Sequence, residues 1–286
     1  MSVRKAVIPA AGFGIRFLPA TRSIPKVMIP VLDKPAVHYV VKEASQAGIE
    51  HIVFVITHDQ EAVGRYFDRL PELEETLQRR GDEAILDEML KISEMAEISY
   101  VYQQQQLGLG HAVLTAKAAV GNEPFAVFLP DDLILNDGPT IGPMIDIFGE
   151  YDSSVIAVKE VPDGQISSLG IVDHRPMGDH ISEIVGMVEK PSVGEAPSNL
   201  AIIGRYVLTP QVFDEIERGK PGALGEIQLT DAIAALLSTQ KAYAYQFPGV
   251  HFDVGTPVGL LKASVYAALQ SDELADGFKE WLREQV

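Results

Sequence analysis

Between residues 5 and 129, short apolar runs of strand length alternate with helix-like segments, and few folds accommodate that order. Residues 5–9 read as a buried strand, and 35–47 as a helix with Pro35 in its first turn and Gly48 just past its end. The run HIVFVIT at 51–57 is continuously β-branched and aromatic, and a helical stretch follows at 59–69. Further strands are predicted at 98–103 and 125–129, with a helix at 110–120 between them. Strand, helix, strand in succession calls for right-handed crossovers and a parallel sheet. Ligands of such sheets collect at the carboxyl ends of strands, so the loops after Pro9, Gln103 and Leu129 should line one crevice.

The second half of the chain is more mixed. Strands are predicted at 154–161, 169–173, 181–188, 200–207 and 242–247, and helices at 209–217, 226–237 and 257–269. The expected class is therefore α/β, a doubly wound sheet that is mixed but mostly parallel. The charged stretch 71–95 carries apolar residues such as Leu73, Leu77, Leu86 and Leu90, which predicts one or two surface helices inserted at 71–97. With no repeat or convincing linker, the simplest division is one domain over 1–270 followed by a helical C-terminal tail over 271–286.

Composition narrows the function classes. A formal charge of −17 argues against general nucleic-acid binding, which needs basic surface to displace phosphate counterions. Yet residues 1–42 hold seven Lys or Arg and a single acid, Asp33, so one segment is cationic within an anionic protein. The count of 0 cysteines excludes disulfides, zinc-thiolate sites and thiol catalysis, and fits a cytoplasmic location. The apolar run 6–11 is too short for a secretion signal, and no stretch approaches the roughly 20 apolar residues of a membrane span.

The cationic segment contains the loop Pro9-Ala-Ala-Gly-Phe-Gly-Ile-Arg-Phe-Leu-Pro-Ala-Thr-Arg-Ser-Ile-Pro-Lys26. Two glycines directly after a strand let backbone N–H groups approach phosphate oxygens, and Arg16 and Lys26 supply charge. The glycines fail the dinucleotide fingerprint, because its third glycine position is Phe17, and no Gly-Lys-Ser/Thr follows. Alone, two glycines mean a tight turn; with Arg16 and Lys26 they indicate nucleotide phosphate. Downstream, Asp131 and Asp132 leave a strand as adjacent acids, a pair that suits either a hard cation or a cap. Glu189-Lys190-Pro191 reads as an exposed ion-paired turn. None of the seven histidines has the helical i, i+4 spacing of a metal site; they read as structural or incidental, His111 packing at a helix start.

The glycine-rich loop closely resembles the signature of the sugar-1-phosphate nucleotidyltransferases, and the resemblance runs from about residue 4 to about 270 in unchanged order. Gln103 with Gly108-Leu-Gly-His111-Ala is similar to that family's base-reading segment, Leu129-Pro-Asp131 to its metal loop, and Glu189-Lys190-Pro191 to its sugar-phosphate motif. Pro197-Ser-Asn-Leu-Ala-Ile-Ile-Gly-Arg-Tyr206, Gly225-Glu-Ile-Gln-Leu-Thr-Asp231 and Asp253-Val-Gly-Thr256 fit as well. The Ser-Asn-Leu-Ala and Glu-Ile-Gln-Leu-Thr-Asp stretches look like its uridylyl rather than its thymidylyl branch.

The resemblance implies a Rossmann-like nucleotidyltransferase fold and transfer of UMP from UTP to glucose 1-phosphate, with Mg²⁺ as cofactor. It implies metal ligation by Asp131 and Asp253, with Asp132 left to a capping role. Catalytic roles fall to Arg16, Lys26 and Lys190, nucleotide contacts to Ala10, Ala11, Gly12, Gly14, Gln103 and Gly108, and sugar contacts to Gly170, Glu189 and Asn199. A homo-oligomer, dimer or tetramer, is expected, with the tail around Phe278, Trp281 and Leu282 as a candidate contact. Ile15 and Val27 depart from the family pattern, which often has a hydroxyl after the second loop glycine and an acid or amide after the lysine. Alternative readings are a thymidylyltransferase making dTDP-glucose, a non-catalytic nucleotide-sugar-binding relative, and a metal-dependent glycosyltransferase using Asp131-Asp132.

Overall fold

A computed structural model describes every residue except Met1, Asp59, Asn136, Asp137, Ala223, Leu224 and Val286. Its centre is a 9-stranded sheet. From edge to edge the strands are Glu97–Tyr102, His51–Ile56, Lys5–Pro9, Phe125–Phe128, Leu200–Leu208, Ser154–Glu160, Ala242–Gln246, Ile181–Glu189 and Gly170–Gly178. The first four pair in parallel. Leu200–Leu208 then runs antiparallel between Phe125–Phe128 and Ser154–Glu160, and makes the sheet mixed.

Strict alternation on the central strands explains why they read as unbroken apolar runs. Ala6 and Ile8, Ile52 and Phe54, and Ala126 and Phe128 face one layer, where Val37, Val40 and Val41 of helix Ala36–Gln46 and Met144 of helix Ile141–Tyr151 pack. Val7, Val53, Val55, Phe125 and Val127 face the other, against Val113, Phe213 and Ile233. Burial on both faces removes the polar half of the period-two pattern.

Two expectations need correction. The helix read at 59–69 is only Ala62–Arg65, and Asp59 lies outside the described residues. Here the Gln60 side chain accepts from the Thr57 N–H and forms a local turn, while Gly64 lies so close to Tyr100 that a Cβ would come within 2.6 Å of its hydroxyl. The helix read at 110–120 breaks at Ala116 into Leu109–Thr115 and Lys117–Val120. A pairing was also missed: Asp132–Leu135 forms an antiparallel ladder with Val250–Asp253, with Asp132 opposite Asp253. Leu133 of this ladder is buried with Val254 and with Ala263 of helix Pro257–Gln270.

Helices Pro71–Arg80 and Glu83–Ser93 occupy the charged stretch, and helix Ala275–Gln285 follows near the C-terminus. On it the rings of Phe278 and Trp281 stack with centroids 5.7 Å apart. Among the described residues no helix is long and apolar enough to cross a membrane.

Candidate active site

The loop after strand Lys5–Pro9 is tightly wound. It closes through three short 3₁₀ turns, Ile15–Phe17, Ala20–Arg22 and Lys26–Met28. Gly14 is required twice over: its φ is +63°, and a Cβ would fall 2.8 Å from Thr21 Cγ2 and 2.9 Å from Lys26 Cβ. Gly12, in contrast, has open space where its Cβ would be. Ala10 and Ala11 are buried, and the carbonyls of Ala11 and Gly12 accept from the side-chain amides of Gln106 and Gln60. Arg16 stands exposed on the loop.

This winding delivers Lys26 to a carboxylate. Its Nζ donates to Asp131 Oδ2 at 2.7 Å, and the Asp131 side chain keeps 33% of its surface exposed. Asp253 is brought alongside by the short ladder and by the Val254 N–H, which donates to the Asp131 carbonyl at 2.8 Å. Both carboxylates flank Gly255, where a Cβ would lie 2.8 Å from Asp131 Oδ2 and 2.9 Å from Asp253 Oδ1. Only glycine leaves that gap open.

The two acids are electrostatically unequal. Desolvation works against the Asp131 carboxylate, but the Lys26 ammonium and the more distant Arg16 hold its pKa below the ordinary value. Asp253 is pushed up, by desolvation first and then by the charges of Asp131 and Asp132. Two hard carboxylates repelling each other across an open gap fit a divalent cation, since magnesium takes one or two carboxylates and fills the rest of its shell with substrate oxygens and water. No cluster of three or more His, Cys, Asp or Glu able to hold a metal occurs among the described residues.

Asp132 caps no helix. It opens the strand Asp132–Leu135, accepting from the Gly204 N–H at 3.1 Å through Oδ2 and meeting His251 Nε2 at 2.6 Å through Oδ1. His251 is therefore not incidental, because it ties the segment of Asp253 to that of Asp131. Beneath them lies a group absent from the sequence reading. Arg205 is fully buried, with Nε and Nη2 on Glu43 Oε2 at 2.9 and 2.8 Å and Nη1 on the carbonyls of Leu129 and Gly204. Glu43 Oε1 accepts from the Ile141 N–H, and the guanidinium sits 5.0 Å from the centre of the Phe128 ring. A lone Arg inside an otherwise apolar strand was the available signal.

Toward the far edge of the sheet, Glu189 Oε2 accepts from Thr230 Oγ1 at 2.7 Å, and its Oε1 lies 3.4 Å from Lys190 Nζ. Lys190 itself adopts φ +49° and donates its N–H to the Leu169 carbonyl. Gly170 gives Glu189 room, since a Cβ there would come within 3.1 Å of Oε2. Asn199 is exposed, and its backbone carbonyl accepts from Val161. Desolvation raises the pKa of buried Tyr206, and the charges of Asp132, Glu189 and Asp131 add to that rise.

Gln103 is buried, with its N–H on the Ile56 carbonyl and its Nε2 2.8 Å from His111 Nδ1. His111, which sits at a helix start as expected, is also a partner of Gln103. Gly108, at φ +105°, is dictated by Ile227, whose carbonyl would lie 2.7 Å from a Cβ. Ile227 also donates to the Leu107 carbonyl and accepts from the Gly110 N–H, so the Glu-Ile-Gln segment clamps the loop. Lys26, Asp131 and Asp253 thus form one group, with Arg16 acting at longer range. Gln103 and the Glu189–Lys190 pair stand in separate groups, all at carboxyl ends of strands.

The profile of the Nucleotidyl transferase family matches residues 5–269. A relative, the UTP--glucose-1-phosphate uridylyltransferase of Staphylococcus epidermidis, is 46% identical over 282 residues, which is 99% of this chain and 98% of its own. Among solved structures, the UTP-bound UGPase from Acinetobacter baumannii aligns with a TM-score of 0.91 at 42% identity, over 99% of each chain. A UDP-glucose pyrophosphorylase complexed with UDP-glucose gives 0.85 at 39% identity, over 94% of this chain and 100% of that one. A glycine-rich loop, paired carboxylates and full-length similarity therefore agree: this chain belongs to the nucleotidyl transferase family.

Proposed function

We propose that the protein transfers UMP from UTP to glucose 1-phosphate, releasing pyrophosphate and forming UDP-glucose. The observation that carries this reading is Lys26 at 2.7 Å from Asp131 with Asp253 across Gly255, all at the mouth of the glycine-rich loop. The names and ligands of the similar proteins support the choice of uracil and glucose.

In this mechanism an oxygen of the sugar phosphate attacks the α-phosphorus in line with departing pyrophosphate. A phosphate monoester dianion is already nucleophilic, so neither a covalent intermediate nor a strong base is needed. The task is to hold two anions together and neutralise the charge that develops. Backbone groups of Ala10, Ala11, Gly12 and Gly14, with Arg16 and Lys26, bind the triphosphate; Gln103 and Gly108 take the base. Lys190 orients the attacking phosphate, and Glu189, Gly170 and Asn199 receive the sugar. Asp131 and Asp253 would hold Mg²⁺, which supplies charge neutralisation at the α-phosphate. Residues 1–270 act as the catalytic unit, with 271–286 as a tail, in the cytoplasm and as a dimer or tetramer.

Pyrophosphate release measured over UTP, dTTP, CTP and ATP against glucose, galactose and mannose 1-phosphates tests the reading. The highest kcat/KM is expected for UTP with glucose 1-phosphate. Preference for dTTP would move the chain to thymidylyl transfer, and no release with any pair would sink the enzymatic reading.

A further inference from the structure

We propose that His111 is a positioning residue that fixes which way round the Gln103 carboxamide lies, and so makes the base site prefer an imide base to cytosine. The inference rests on Gln103 reading the base, as set out above. A carboxamide presents a donor nitrogen beside an acceptor oxygen, and a half-turn exchanges them. Left alone, such a group serves either pattern. Gln103 is not left alone, because its Nε2 lies 2.8 Å from His111 Nδ1. An amide nitrogen only donates, so Nδ1 accepts and the ring carries its hydrogen on Nε2.

The ring is well placed to impose this. His111 lies on helix Leu109–Thr115, and the helix start is fixed by the Gly110 N–H on the Ile227 carbonyl at 2.8 Å. The Thr115 hydroxyl donates to the His111 carbonyl at 2.9 Å, and Gln103 is tethered through its own N–H to Ile56 at 2.9 Å. With one Nε2 hydrogen committed to His111, the amide offers a base its second N–H next to Oε1. Uracil and thymine answer with a carbonyl oxygen next to N3–H. Cytosine sets an amino group against the N–H and a bare ring nitrogen against Oε1, two mismatches in one contact. Accepting cytosine requires turning the amide, which aims Oε1 at Nδ1 and obliges the ring to shift its hydrogen from Nε2 to Nδ1. Sites built on donor–acceptor matching reject the wrong partner far more strongly than apolar pockets do.

The test measures kcat/KM for UTP, dTTP and CTP with glucose 1-phosphate, in wild type, His111→Leu and His111→Asn, alongside thermal unfolding. His111→Leu removes the acceptor, and the UTP:CTP ratio is expected to fall at least about tenfold while dTTP:UTP stays unchanged. His111→Asn, whose carbonyl can also accept from the Gln103 amide, should restore part of the ratio. An equal fall for all three nucleotides in His111→Leu would mean a structural role and overturn the inference. A second readout needs no variant: ¹⁵N spectra of the wild-type ring should show hydrogen on Nε2 and none on Nδ1, and the reverse overturns the inference even if His111→Leu fails to fold. A wild type that uses CTP as well as UTP would instead overturn the base-reading role of Gln103, a failure separable from loss of selectivity confined to the variants.

Discussion

On the proposed metal side, Asp131 follows a strand braced by the buried Arg205–Glu43 pair, while on the proposed sugar side Glu189 and Lys190 lean on one threonine hydroxyl and one backbone hydrogen bond. The first arrangement is costly to build, since two charges must be taken out of water and fully satisfied. Nothing comparable lies behind the second, although Asp131 and Lys190 each keep 33% of their side-chain surface exposed. In-line attack at phosphorus tolerates little displacement, which justifies rigid bracing where the bond breaks. A hexose with several hydroxyls can be received by side chains that settle around it.

Four measurements would break or sharpen that contrast. Asp131→Asn should cut magnesium-dependent pyrophosphate release by about a thousandfold, the scale of losing a group that acts only on developing charge, with the unfolding midpoint lowered only by the loss of the Lys26–Asp131 pair. Retained turnover would remove Asp131 from the metal side. Arg205→Met strands the buried Glu43 carboxylate and should cost about 3–5 kcal/mol in chemical denaturation, much of it recovered when Glu43→Gln is added. A cost below about 1 kcal/mol would mean that the brace carries no load. Lys190→Ala should act mainly on KM for glucose 1-phosphate, raising it about 10- to 100-fold, as expected for one charged hydrogen bond. An equal or larger fall in kcat would show that the sugar side is as tightly set as the metal side.

The smallest effect concerns acidity. Asp253 must be ionised to bind a cation and its pKa is raised, so as pH falls it protonates before an ordinary aspartate would, and before Asp131, whose pKa is lowered. Apparent magnesium affinity should therefore weaken from above the ordinary aspartate value of about 3.9, and magnesium uptake there should release protons. Isothermal titration in buffers of different ionisation enthalpy measures that release; Asp253→Asn should abolish it. The signs for folding are opposite at the two acids. The ionised form of Asp253 is penalised in the fold, so its protonation does not destabilise, whereas the Lys26–Asp131 pair contributes stability above the unfolded aspartate value and loses it as pH falls through the lowered native one.

The sheet was legible because residue type and burial coincide. At His51–Ile56 both faces of the strand are covered, so the run itself marks the strand. Asp131 was legible for a similar reason, as a charge at the point where such a run stops. The ladder that sets Asp132 opposite Asp253 was not, because four-residue segments ending in aspartate acquire strand character only from each other. His251 was passed over, and His111 was read only as packing at a helix start, because their partners, Asp132 and Gln103, come from other segments, and spacing within a helix cannot reveal such pairs. Arg205, a lone charge in an otherwise apolar strand, was passed over, and its meaning needed Glu43, which sequence places far away.

That four-residue ladder also sets an order of events during synthesis. A growing chain has made the glycine-rich loop, Gln103 and Asp131 long before Asp253 leaves the ribosome, and Gly255, which keeps the space between the two acids clear, comes later still. Until Val250–Asp253 docks, the nascent protein can present the glycine-rich loop but only one of the two carboxylates proposed to hold a cation. Completion of the proposed cation site therefore waits on the docking of that ladder.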